Sequence, residues 1–219
     1  MADPLDTHVH LFKPSLKADP RTLLLLHGTG DNEQSFSRLG ALMAPEAAVL
    51  SVRGNARENG MNRFFRRRAE GVYDMEDLAR RTAELIAFID TAVRHYGLHR
   101  TGLIGIGYSN GANILASMLF RDASVAPAAV LMHPLIPFAP PANPRLAGNR
   151  VLITAGERDP VCPPALSRSL HSYFEQQGAR SRLLFHPGGH ELAPEEIESA
   201  SAFVAEATPV TPRDVRATT

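Results

Sequence analysis

The stretch TGLIGIGYSNGAN runs from Thr101 to Asn113. A short aliphatic run leads into Gly-x-Ser-x-Gly, and the apolar-rich stretch ILASMLF (114–120) follows it. A strand turning sharply into a helix with a serine at the corner is the context a nucleophile elbow requires. The glycines have a steric reason, because the serine sits in a strained tight turn where strand and helix pack closely. Gly-x-Ser-x-Gly also recurs by chance, so the rest of the chain has to say whether Ser109 is a nucleophile.

Five further runs have the same aliphatic character: TLLLL (22–26), AVLSV (48–52), AAVLM (128–132), RVLITA (150–155) and RLLFH (182–186). With GLIGI (102–106) they suit a sheet covered on both faces. Amphipathic stretches lie between them. In EDLARRTAELIAFIDTAVRHYG (76–97), Leu78, Leu85, Ile86, Ile89 and Val93 recur at helical spacing, and Gly97 is placed to end the helix. Residues 110–122, 165–178 and 194–207 read as three more helices. Alternating strands and helices predict an α/β fold with a mostly parallel central sheet and helices on both faces. HVHLF (8–12) adds an expected antiparallel edge strand. Residues 53–74 show no clear period, and the proline-rich 133–149 forms a second long connection; long connections are often functional. One domain over residues 1–207 is expected, with 208–219 as a frayed tail.

A serine hydroxyl needs a base before it can attack. GERDP places Asp159 just past the strand at 150–155, and PGGHE places His190 on a glycine-flanked loop past 182–186. The order Ser109, Asp159, His190 is that of a hydrolase triad built at strand ends. Glu157 stands two residues before Asp159 as its nearest rival. Upstream, the strand 22–26 runs into HGTG (27–30), where the Thr29 amide is a candidate oxyanion donor. The Asn110 amide, directly after the nucleophile, is the second. His27 reads as a structural histidine of that loop. Cys162, three residues past Asp159, reads as packing near the site. His8 and His10 lack partner ligands, so no metal site is expected there.

The four motifs HGTG, GYSNGA, ERDPVCP and GGHE, in that order over about residues 20–205, resemble those of the α/β-hydrolase superfamily. The branch they resemble is the small carboxylesterase/phospholipase type. RGNARENGMNRFFRR (53–67) resembles the bacterial MhqD-like carboxylesterase subgroup, which is related to the acyl-protein thioesterases. There the elbow reads GFSNGA; here Tyr108 replaces the phenylalanine, a change expected to affect packing more than chemistry. The resemblance implies a single-domain α/β-hydrolase fold and ester hydrolysis more securely than it implies a substrate. The resemblance is compatible with a homodimer, although no interface is visible in the residues.

RFFRRR (63–68) supports two readings equally. One is a solvated basic loop balanced by Glu70, Asp74, Glu76 and Asp77. The other is a cap, with Arg63 facing a polar or anionic part of the substrate and Phe64 and Phe65 as an apolar wall. Tyr73 and His133 are further pocket candidates. Only about seventeen residues follow the strand at 128–132 where larger relatives carry a helical insert. A minimal cap and an open pocket for short- to medium-chain esters are therefore expected. Longer-chain lysophospholipase or thioesterase activity is the alternative within catalysis. A non-catalytic relative holding a small aromatic is the alternative outside it.

Composition narrows the rest. The chain has 219 residues, 44% of them hydrophobic and 21% charged, as in ordinary globular proteins. Lys plus Arg and Asp plus Glu are 23 each, so no nucleic-acid partner is expected. One cysteine cannot form an internal disulfide, and LLLL (23–26) is far too short to span a bilayer. No membrane insertion, a cytoplasmic location and no metal or organic cofactor are the expectations, with a small-molecule ester as the partner.

Overall fold

A computed structural model of the protein describes residues 4–16 and 19–207. The expected C-terminal tail, 208–219, lies outside the described residues. The strands are β1 (His10–Lys13), β2 (Thr22–Leu26), β3 (Ala48–Val52), β4 (Ala56–Glu58), β5 (Met61–Arg63), β6 (Arg67–Ala69), β7 (Val72–Tyr73), β8 (Leu103–Tyr108), β9 (Ala128–Met132), β10 (Arg150–Gly156) and β11 (Arg180–His186). The helices are α1 (Glu33–Met43), α2 (Met75–His95), α3 (Asn110–Arg121), α4 (Pro164–Gln176) and α5 (Pro194–Glu206).

Seven strands form one sheet in the order β1-β3-β2-β8-β9-β10-β11. Only β1 runs antiparallel, and it pairs along the outer edge of β3. The aliphatic runs owe their continuity to this architecture, since both faces of the inner strands are covered. Leu24 and Leu26 face the core under α2, α3 and α4, while Leu23 and Leu25 face the core under α1 and α5. The period of two is present, but it sorts apolar residues between two cores rather than between core and water.

Two parts of the chain depart from the sequence reading. Asp31 and Glu33 read as the capped start of a helix, but no span was assigned to α1, because its EQSFSRLGALM carries serines and a glycine of modest helix propensity. It is started by the Asn32 side chain, which accepts from the amides of Gln34 and Ser35. The segment 53–74 is two small antiparallel hairpins, β4-β5 and β6-β7, folded over the carboxyl end of the sheet. Among the described residues, no helix is long and apolar enough to cross a membrane.

Candidate active site

The turn from β8 into α3 explains its own sequence. Ser109 has φ 51° and ψ −115°, a conformation that a side chain other than glycine rarely adopts. A Cβ on Gly107 would lie 2.6 Å from the Gly111 carbonyl oxygen, and one on Gly111 would lie 2.0 Å from the Leu26 carbonyl oxygen. Both are impossible, so the strand, the helix and β2 approach this closely only without those side chains. The strained serine is held by its amide, which donates to Met132 O (2.8 Å), and by its carbonyl, which accepts from Asn113 (3.0 Å).

Three strand ends converge on this point. His190 Nε2 lies 2.9 Å from Ser109 Oγ. His190 Nδ1 lies 2.7 Å from Asp159 Oδ2. An ionised Asp159 requires the proton on Nδ1, which leaves Nε2 free to accept from the serine. The other Asp159 oxygen, Oδ1, accepts the amides of Val161 (2.8 Å) and Cys162 (2.9 Å). Burial pushes the Asp159 pKa up, but these amides and the rings of His190 and His133 outweigh it, and the net direction is down. Glu157, the rival, is exposed.

Ser109 opens into a cavity of about 160 Å³. Its walls include Thr29, Arg63, Tyr73, Asn110 and His190, together with Arg67, Glu70, Asn113, Leu135, Val161 and Cys162. A larger hollow of about 540 Å³ lies between residues 136–140 and α4, but it shares no lining residue with the Ser109 cavity. Proximity to Ser109, not size, singles out the candidate site. Asn110 is the first residue of α3, so its amide has no acceptor within the helix. Among the described residues the Thr29 amide likewise has no hydrogen-bond acceptor. Both amides are therefore available to an oxyanion.

Not every predicted pocket residue is in the wall. Phe64 and Phe65 are buried in the hydrophobic core, because the first hairpin turns them inward against α2 and α3. His133 is fully buried behind Asp159. Arg63 is in the wall but is 4% exposed, so it is neither a solvated loop residue nor an open cap. Its Nη1 donates to Thr29 Oγ1 (2.8 Å), its Nε donates to Phe65 O (3.3 Å), and Glu58 lies 3.4 Å away. Arg67 pairs with Glu58 at 2.9 Å and with Glu70.

The segment 53–74 clamps the amide side of the site. The Gly54 amide donates to His27 Nε2 (3.0 Å), whose Nδ1 in turn donates to Gly28 O (2.6 Å). That pairing makes His27 neutral, and burial lowers its pKa in agreement. The Gly30 amide donates to Asn62 O (2.9 Å), and the Asn62 side chain donates to Asp31 O (2.9 Å). The Phe64 amide donates to Asn110 Oδ1 (2.7 Å). Both candidate oxyanion residues are thus tied to one segment.

Several site residues escaped the sequence reading. The Tyr108 hydroxyl donates to His190 O (2.7 Å), so the aromatic that departs from the usual elbow motif holds the histidine loop. Burial pushes its pKa up to about 12, which keeps it a donor. Asn113 bonds the Leu135 amide (2.7 Å) and the Tyr73 hydroxyl (2.8 Å). It stands four residues after Ser109, a buried asparagine in a largely apolar helix. Glu196 and His186 are buried beside His133 and had no signal in the sequence.

The His133, His186 and Glu196 donor atoms cluster closely enough to suggest a cation. However, the Gly188 amide donates to His186 Nδ1 (3.1 Å), so a neutral His186 must carry its proton on Nε2, the atom facing Glu196. That ring offers the cluster a donor, not a lone pair.

No protein-family model matches the chain. The Bacillus subtilis (strain 168) protein named hydrolase MhqD is 45% identical over 185 residues, covering 84% of this chain and 92% of that one. Among solved structures, the Bacillus cereus carboxylesterase superposes with a TM-score of 0.88 at 43% identity, covering 94% of this chain and 100% of that one. YahD, solved with malic acid, superposes with a TM-score of 0.83 at 28% identity, covering 91% of this chain and 99% of that one.

Proposed function

The chain belongs to the carboxylesterase branch of the α/β-hydrolases, and on that premise we propose that it hydrolyses short- to medium-chain carboxylic esters through Ser109, His190 and Asp159. The chain of hydrogen bonds from Ser109 Oγ through His190 to Asp159, opening into the small cavity, carries the proposal. His190 takes the serine proton as Ser109 Oγ attacks the ester carbonyl. The Thr29 and Asn110 amides receive the oxyanion. His190 then protonates the leaving alcohol. A water activated by the same histidine releases the acid and restores the serine. No step needs a metal or cofactor.

A cavity of about 160 Å³ is small beside the ~300–1,000 Å³ usual for ligand pockets, which favours a short acyl group. Arg63 and Arg67 in the wall favour an ester with a polar or anionic end, and the malic acid bound to YahD is in keeping with that.

The test is hydrolysis of p-nitrophenyl acetate, butyrate, octanoate and palmitate by wild type and Ser109→Ala. Turnover of the shorter esters by wild type alone is expected. Preference for palmitate would favour the thioesterase-like alternative. No turnover, with no labelling of Ser109 by a fluorophosphonate, would leave a binding protein.

A further inference from the structure

Behind the triad lies a second, fully buried charged group that the mechanism above does not use. His133 follows β9 directly and has φ 51°, a left-handed conformation strained for a residue with a side chain. Its place is fixed on both sides, since its amide donates to Thr154 O (2.8 Å) and its carbonyl accepts from Cys162 Sγ (3.1 Å). Its Nδ1 lies 2.8 Å from Asp159 Oδ2, the same oxygen that His190 uses. Its Nε2 lies 3.1 Å from Glu196 Oε1 and 3.2 Å from Oε2.

Counting protons decides the state of this ring. Asp159 takes two backbone amides on one oxygen and two imidazole nitrogens on the other, so it is an ionised acceptor and His133 Nδ1 carries a proton. Glu196 already accepts the Ala193 amide (2.8 Å), and the protonated Nε2 of His186 stands 3.3 Å from it without hydrogen-bond alignment. A bare ring nitrogen facing that carboxylate would set lone pair against lone pair in a dry interior, which is costly. His133 Nε2 therefore carries a proton as well.

We propose that His133, as an imidazolium bridging Asp159 and Glu196, is a positioning residue that locks Asp159 for His190, and that Glu196 cancels the charge this lock would otherwise add to the triad. The arrangement deepens the proposed esterase function and rests on it. Asp159 needs several donors to stay fixed, but a lone cation on its oxygen would compete with the imidazolium that His190 becomes during catalysis. Pairing that cation with Glu196 leaves the support neutral, so Asp159 still presents one net negative charge to His190. The titratable groups facing His133 are Asp159, Glu196, His186, His190, Tyr108 and Cys162. Burial pulls the His133 pKa down, but the bonds to Glu196 and Asp159 prevail and the net direction is up.

Two measurements test this. In wild-type protein labelled with ¹⁵N-histidine, the His133 ring, identified by its proximity to Tyr108 and His186, is expected to keep both nitrogens protonated at pH values where an ordinary histidine is already neutral. One unprotonated nitrogen on that ring would overturn the proposal, whether or not any variant folds. The second measurement is kcat/KM against pH for a p-nitrophenyl ester. Glu196→Gln, which leaves the His133 charge uncompensated, should move the acid limb down by on the order of one pH unit. His133→Asn, which strands the Glu196 charge, should move it up. The double variant should return the limb towards wild type while kcat stays about tenfold down, because Asp159 has lost its clamp. Any other pattern among variants that fold overturns the charge balance. If the wild-type protein cleaves no ester, the proposed function fails while the ¹⁵N spectrum still answers for His133.

Discussion

Ser109 is supported from two directions, and the supports differ in kind. On the amide side, the segment of residues 53–74 holds His27, Gly30, Asp31 and Asn110 through hydrogen bonds in which at least one partner is backbone. His27 in that clamp is neutral. On the imidazole side, Asp159, His133 and Glu196 form a buried run of alternating charge. An oxyanion needs donors fixed in advance, and backbone amides provide them without titrating. A general base needs a partner of constant charge, and in a dry interior a cation that fixes that partner must itself be neutralised. Damage on the amide side should therefore lower the rate evenly across pH. Damage on the imidazole side should also move the pH profile.

The largest expected effect strikes the imidazole side at its centre. Asp159→Asn should lower kcat by about 10⁴, since the amide no longer selects the Nδ1–H tautomer of His190. Titration with a fluorophosphonate would show whether Ser109 remains in place. A loss of less than tenfold would mean that Asp159 is not the group that orients His190.

On the amide side, Asn110→Ala keeps the backbone donor but strands the buried Phe64 amide. A loss of roughly 1–3 kcal/mol in stability is expected, with a several-fold lower kcat and an unchanged pH profile. A shift of the pH profile in this variant would erase the distinction between the two sides.

Stability against pH sharpens the same contrast. Asp159 and Glu196 have folded pKa values below their unfolded values of 3.8 and 4.5, so their contribution is present above those values and lost as pH falls through the lower folded ones. His133 has a folded value above 6.5, so its contribution is present below 6.5 and lost as pH rises through the folded value. Thermal melts of wild type should decline at both ends. Those of His133→Asn should lose the alkaline decline.

A smaller effect is expected for Tyr108→Phe, which restores the phenylalanine of the related elbow motif. Losing the bond to His190 O should cost ~0.5–1.5 kcal/mol, seen as a few-fold drop in kcat. The smallest belongs to Glu70→Gln. It removes one exposed partner of Arg67, and unfolding should shift by less than about 1 kcal/mol.

Legibility followed local physics. The inner strands were readable because aliphatic runs between helices have few other uses, and the elbow was readable because Gly107 and Gly111 answer a steric need in their own neighbourhood. The hairpins at 53–74 were not. Their arginines read equally as a solvated loop or a cap: Glu70 and Asp77 were visible as balancing charges, but the part of Glu58 and which arginine meets which acid appear only once the chain has folded. Glu196 looked like an ordinary acid in the first turn of a helix. It does cap that turn by accepting the Ala193 amide, and nothing in its surroundings along the chain announces His133.

By itself the sequence determined the alternation of strand and helix and the order of Ser109, Asp159 and His190 at the strand ends, because periodicity and turn sterics act over a few residues. The tertiary structure alone decided which groups stand behind those three. His133 meets Asp159 from 26 residues away and Glu196 from 63, and Phe64 meets Asn110 from 46. Contacts over such separations depend on where the sheet brings its strand ends together, and no local pattern of residues encodes that.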